Sequence, residues 1–286
     1  MVRAIDKIEK DIAELEETTR NTALQLYSIY FNYLTELGKA VRQQLILASY
    51  HICTQGYAES FLKLSLSQRQ QLQQEIRKLS KKAQEMLLAA LCRPVKESLE
   101  LPMAENRFLT AVNPLFHQGA EQKAEQPPEN LEMSNLVSNP EQLAQWQKTL
   151  EIALAKILQT TSQKANQLLQ QAGILPPKLP ETILEAAARA EAGEAAVAGP
   201  PNLINVLIET ENAEESQKST ITQLIAIHLR LPEIEFADAK VMAGRSQIRQ
   251  LTAKLNKIKR DYQKKQRERA IAEAEAAWRA TWVEDD

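Results

Sequence analysis

A chain of 286 residues carries only 7 glycines and 5% aromatic residues, and Ala, Leu, Gln, Glu, Lys and Arg dominate it. Scarce glycine excludes most tight hairpin turns and the phosphate-cradling loops of nucleotide enzymes, while straight-chain residues favour helix. An all-α fold with almost no sheet is therefore expected. The net charge of −2 hides segregation: residues 121–215 hold 14 acidic and 6 basic residues (net −8), whereas residues 245–269 hold 10 basic residues against Asp261 and Glu268 (net +8).

The first helix is expected from Val2 to His51, about 75 Å at 1.5 Å per residue. Its seam of three- and four-residue steps runs Ile5, Ile8, Ile12, Leu15, Thr19, Thr22, Leu26, Ile29 and Tyr33. Such a stripe demands a partner helix. Past Tyr27 it widens to Tyr30, Phe31, Leu34, Leu37, Val41 and Leu45, a face broad enough for more than one neighbour. Thr19 and Thr22 are polar layers able to fix register. Gly56 is a stop, and an apolar connector with Phe61, Leu62, Leu64 and Leu66 should fold back on the helices. Ser67 with Gln70 reads as a capping box opening a second helix, with the seam Leu72, Ile76, Leu79, Ala83, Met86 and Ala90. Pro94 ends it. Residues 1–100 are thus an N-terminal antiparallel helical hairpin.

Residues 101–138, with Pro102, Pro114, Pro127 and Pro128, read as a mobile, largely irregular linker. Asn139, Pro140 and Gln142 then form a helix start, and a third long helix over 139–173 uses Leu143, Leu150, Leu154, Ile157, Thr161 and Leu168 before Gly173. Residues 174–218 are a Pro/Ala/Glu-rich spacer with short helices, among them Asn202 to Thr210. Residues 219–286 are a helical and coiled-coil region opening at Ser219 or Thr220, broken or kinked at Pro232, and continuing to about Trp282. Its seam is Val241, Gly244, Ile248, Leu251, Leu255, Ile258 and Tyr262. The whole reads as an elongated helical hairpin or bundle with long coiled-coil segments.

No catalytic, cofactor-binding or metal-ligating set stands out. His51, His117 and His228 lack a second ligand at helical spacing, and no Gly-bearing elbow presents a nucleophile. Cys53 and Cys92 have no metal-ligand spacing and read as small buried hydrophobes of a reducing compartment. The opening residues interleave charge with apolar side chains and no run of 18 apolar residues occurs, so a soluble, cytoplasmic protein without enzymatic activity is expected.

Two surface features remain. Arg245, Arg249, Lys254, Lys257, Lys264 and Lys265 flank the last seam as a candidate basic surface. It is either a solvated exterior facing acidic segments of the same chain or a face for nucleic acid, anionic membrane or an acidic protein partner. Tyr262 is its sole aromatic, and no helix-turn-helix pattern accompanies it, which weakens the nucleic-acid reading. Trp278 and Trp282 lie one turn apart, with Ile271 further back. They either cover the bundle end or form a docking peptide for another protein. The leading expectation is a scaffold or adaptor that binds a protein partner, with a homodimer as one possible assembly.

Two stretches, ITQLIAIHLRL from Ile221 to Leu231 and AEAEAAWRATW from Ala272 to Trp282, resemble uncharacterised helical proteins of photosynthetic bacteria. The resemblance brings no activity, cofactor or ligand residues and implies a bacterial cytoplasm.

Overall fold

The computed structural model describes residues 2–91, 138–176, 200–211 and 219–281. All but the last residue of the expected 101–138 linker, the Ala-rich piece from Glu181 to Ala198, and Cys92, His117 and Trp282 lie outside them. In chain order the elements are α1 (Val2–His51), a π turn (Ile52–Gly56), α2 (Ala58–Leu62), α3 (Leu66–Leu91), α4 (Pro140–Gln171), β1 (Leu203–Glu211), β2 (Ser219–Ile227), α5 (Leu231–Ala237) and α6 (Ala239–Thr281). The fold is all-α with long helices packed on one another and one two-stranded antiparallel hairpin. Contacts divide the chain into two compact units, and α1, α4 and α6 each contribute residues to both.

The first unit holds α1 up to Asn32, the start of α4 and α6 from Ser246 onward. Its interior is built from Ile12, Leu26, Tyr27 and Tyr30 of α1, Leu143, Trp146 and Leu150 of α4, and Ile248, Leu255 and Ile258 of α6. The two expected seams therefore meet within one chain. Tyr262 Oη donates to Glu16 at 3.2 Å and Lys265 pairs with Asp11 at 3.0 Å, so α6 runs antiparallel to α1. Trp146 packs edge-on against Tyr30, ring centroids 5.8 Å apart. Thr19 and Thr22 are fully buried, but their hydroxyls donate to Leu15 and Thr18 carbonyls of their own helix.

The second unit holds Tyr33–Ala90 and Ile152–Arg245. Here α3 returns antiparallel along α1, and Gly38 lets the two helices approach closely: a Cβ there would lie 2.6 Å from Gln84 Cγ. The capping box that opens α3 sits two residues before the expected one. Ser65 N–H donates to Gln68 Oε1 at 2.8 Å and Gln68 N–H to Ser65 Oγ at 3.3 Å. Asn139 caps α4 as expected, its Oδ1 accepting from Glu141 N–H at 2.8 Å. Gly173, at φ 74°, closes α4, with Ile174 N–H donating to Leu169 C=O and Gly173 N–H to Gln170 C=O. That is a Schellman ending, and glycine adopts its left-handed residue without penalty.

Three expectations are corrected here. Asn202 to Thr210 is not a short helix but the turn before β1 and most of that strand, and Ser219 opens β2 rather than a helix. β-Branched residues crowd both segments, and their stiff χ1 suits a strand better than a helix. The pairing runs from Leu203↔Ile227 to Glu211↔Ser219. Buried Ile204, Leu224 and Ala226 alternate with exposed Asn205 and Gln223, the period-two pattern of a half-covered sheet. Finally, Pro232 breaks nothing: it occupies the first turn of α5, where its missing N–H is harmless. The break falls at Asp238, at φ −130° and ψ 116°, whose Oδ1 caps α6 through Lys240 and Val241 N–H.

Side chains substitute for a third strand along the end of β2. Asn166 of α4 donates through Nδ2 to Ile227 C=O at 3.0 Å and accepts from Ile227 N–H at 2.8 Å. Ser162 Oγ accepts from Leu229 N–H at 2.9 Å, and Tyr57 Oη from Ile225 N–H at 3.1 Å. Buried backbone groups left without such partners cost about 1–3 kcal/mol each. Asn166→Leu, which keeps the branched shape and removes both bonds, should therefore lower stability by about 2–4 kcal/mol in urea unfolding. A loss below about 0.5 kcal/mol would mean that Asn166 does not hold the hairpin.

Candidate functional site

Asn202 begins the hairpin in the left-handed region, at φ 61°, which asparagine tolerates better than most residues. It is fully buried and each of its polar groups is used. Its N–H reaches Glu233, Nδ2 reaches Gln44 Oε1 at 3.0 Å, Oδ1 accepts from Arg230 N–H at 3.0 Å, and its C=O accepts from His228 N–H at 2.9 Å. Arg230 closes the group by pairing with Glu233 at 2.6 Å. Burial, with Arg230 close by, pushes the His228 imidazole below its ordinary pKa, so the ring is neutral at pH 7.

One turn along, the break at Asp238 lets α5 and α6 present an acid and a base to each other. Arg245 Nε donates to Glu235 Oε1 at 2.6 Å, and Tyr33 Oη donates to the same oxygen at 2.6 Å. Arg245 Nη2 donates back to Tyr33 Oη at 2.7 Å, and its Cζ stands 4.7 Å over the Tyr33 ring. The Arg245 and Glu235 side chains are only 12% and 11% exposed. This corrects the expectation that Arg245 belongs to a basic surface: it is a part-buried charge paired with the buried Glu235. The same contact accounts for Gly244, the odd member of an apolar seam, since a Cβ there would lie 3.2 Å from Tyr33 Cδ2. The cluster's charges and hydroxyl face one another, an arrangement suited to holding helices rather than to chemistry on a substrate.

The other expected basic residues are placed differently. Arg249, Lys254, Lys257 and Lys264 are exposed on α6. Lys265 is half-buried and shared between Asp11 at 3.0 Å and Glu268 at 2.9 Å. With 100° per residue, Arg249, Lys257, Arg260, Lys264 and Arg267 fall within an arc of about 80° on α6, and all five are exposed. Ile271 and Trp278 stand 49% and 68% exposed on the last turns of α6. Trp278 thus does not cover a bundle end. The two residues are seven apart and share a face.

Cys53 is buried, and burial pushes its thiol up to about 11, so it is a neutral thiol at pH 7. His51 carries a buried Nδ1 without a hydrogen-bond partner among the described residues. Among those residues no group of three or more His, Cys, Asp or Glu side chains could hold a metal ion. No described helix is long and apolar enough to cross a membrane. Periodicity did not reveal the Asn202 and Glu235–Arg245 clusters, because each joins residues from different elements.

An ion pair taken out of water costs much of what it gains, yet removing one partner strands the other. Glu235→Leu or Arg245→Met alone should lose about 3–5 kcal/mol, and the two together should recover most of that loss. Chemical unfolding of the two single variants and the double variant checks this. Additive losses would mean the two residues act separately.

No protein-family model, curated protein or solved structure matches the chain.

Proposed function

We propose that this chain is a non-enzymatic scaffold or adaptor that binds another protein through coiled-coil surfaces and the tryptophan-bearing end of α6. One observation carries the reading: Trp278, 68% exposed, shares a helix face with Ile271, 49% exposed. Beyond Ile258, α6 runs to Thr281 with no buried residue. Exposed tryptophan next to an aliphatic residue is the chemistry of a binding hot spot, where one large side chain fills a partner's pocket. A second copy of the chain is one possible partner, and the resemblance to helical proteins of photosynthetic bacteria is consistent with a bacterial cytoplasmic setting.

A second reading rests on the arc of exposed Arg249, Lys257, Arg260, Lys264 and Arg267, which suits an anionic polymer such as duplex nucleic acid. Five phosphate contacts would give log K against log salt a slope of about −4.5. Arg245, paired with Glu235, and Lys265, paired with Asp11 and Glu268, take two cations out of this surface, which favours the protein-binding reading.

Ile271→Ala with Trp278→Ala should leave stability within about 0.5 kcal/mol, because exposed side chains rarely hold a fold, while abolishing capture of the partner from cell extract at moderate salt. A collapse in stability would make these residues structural. Unchanged capture would overturn the tail as the docking site, and retention of nucleic acid with the steep salt slope would select the second reading.

A further inference from the structure

Independently of the tail, the second unit contains an apolar cavity of about 340 Å³ between α1, the π turn, α2 and α3, with Leu169 of α4 at its wall. Ile46, Cys53, Phe61, Leu72 and Ile76 supply its lining. It opens to solvent beside Ile46 and Tyr50, which are 40% and 56% exposed although they line it. Leaving this much apolar surface wet at one place is unfavourable unless something occupies it.

The polar groups of the cavity divide into two kinds. Ser49 Oγ donates to Leu45 C=O at 2.8 Å and Thr54 Oγ1 to Tyr50 C=O at 2.7 Å, so both hydroxyl protons are already committed to α1. The Cys53 thiol, pushed up to about 11 by burial, is uncharged. The inner wall thus offers a ligand neither charge nor a spare hydroxyl donor. On the α3 lip the situation is opposite. Gln73 and Arg77 line the cavity one helical turn apart, are exposed, and their side chains take part in no hydrogen bond or ion pair among the described residues. Two other cations near the mouth are engaged: Lys78 pairs with Glu75 at 2.9 Å, and Arg69 donates to the Phe61 and Leu62 carbonyls. Arg77 is the guanidinium placed to receive an anion at the mouth.

We propose that this cavity binds a single-chain fatty acid, its aliphatic tail among Ile46, Cys53, Phe61, Leu72 and Ile76 and its carboxylate on Arg77 and Gln73. Charge complementarity selects the head, because an arginine fork matches a carboxylate with two parallel hydrogen bonds. Volume selects the tail: at the packing density of protein interiors 340 Å³ holds roughly ten to twelve methylenes. An apolar chamber with a few polar groups at one end is the usual form of a small-ligand site.

The test is calorimetric titration of the full chain with octanoate, decanoate, dodecanoate and tetradecanoate, each below its micelle concentration. One-to-one binding is expected, tightening roughly fourfold per methylene up to dodecanoate and levelling beyond it. Dodecanol should bind at least tenfold more weakly than dodecanoate. Arg77→Gln should weaken dodecanoate about tenfold and leave dodecanol unchanged, and Gln73→Trp, which plugs the mouth from an exposed position, should weaken both. Absence of saturable binding, a stoichiometry above one, or affinity indifferent to chain length would overturn the site. Equal affinity of acid and alcohol, with Arg77→Gln without effect, would overturn the assignment of the carboxylate.

Discussion

Burial of charge where Tyr33, Glu235 and Arg245 meet constrains the rest of the second unit. An apolar seam permits sliding, because one leucine replaces another when a helix shifts by a turn. A buried guanidinium permits none, since a shift leaves it beside a side chain that cannot accept its proton. Glu235 and Arg245 are only ten residues apart but lie on different helices, so their pairing requires the chain to break between them. Asp238 provides that break and caps the helix that follows. Gly244 then allows the α6 backbone to approach the Tyr33 ring whose hydroxyl completes the cluster. The net stabilisation from such a cluster is small. Its consequence is geometric: a slide of α5 or α6 by one turn would part Arg245 from both Glu235 and Tyr33.

Polar side chains define the positions of elements elsewhere by the same logic. In the first unit Gln147 donates to Tyr30 Oη at 3.1 Å and to Thr252 Oγ1 at 2.6 Å, and Tyr30 donates to Glu151 at 2.7 Å. Three helices are tied at one level. Thr19 and Thr22, the polar seam residues that sequence alone suggests as register markers, spend their hydroxyls on their own helix. A self-satisfied threonine is compatible with any apolar neighbour, so discrimination between registers falls to bonds that cross between helices, those of Gln147 and of Tyr262 with Glu16 among them.

How much of this was legible follows from the range of each signal. The length of α1, the Asn139–Pro140 start and the Gly173 stop depend on residues within a turn or two, and the sequence displays them directly. The α3 start was misplaced because Ser65-x-x-Gln68 and Ser67-x-x-Gln70 both fit the capping pattern, and only the fold selects between them. The hairpin escaped notice because seven residues, not a glycine turn, separate its strands, and a composition so rich in helix formers argued for helix. Its β-branched residues were the available signal. Arg245 was grouped with the surface cations because its place beside the seam looks like theirs. Its partners Tyr33 and Glu235 come from α1 and α5, and no local pattern joins the three.

The end of α6 poses the opposite problem, a helix that persists without burial. From Tyr262 to Thr281 no residue is buried, so the hydrophobic term that sustains most protein helices is largely absent. What remains is the high propensity of its alanines and charged pairs such as Arg269–Glu273 at 3.4 Å and Arg279–Glu275 at 3.7 Å. Exposed pairs of this kind contribute only about 0.3–0.5 kcal/mol each, enough to bias the segment toward helix but not to make it rigid. Ile271 and Trp278 consequently add little to the stability of the free chain. A partner that covered Ile271 and Trp278 would gain their exposed apolar surface and would also complete the ordering of the helix that presents them.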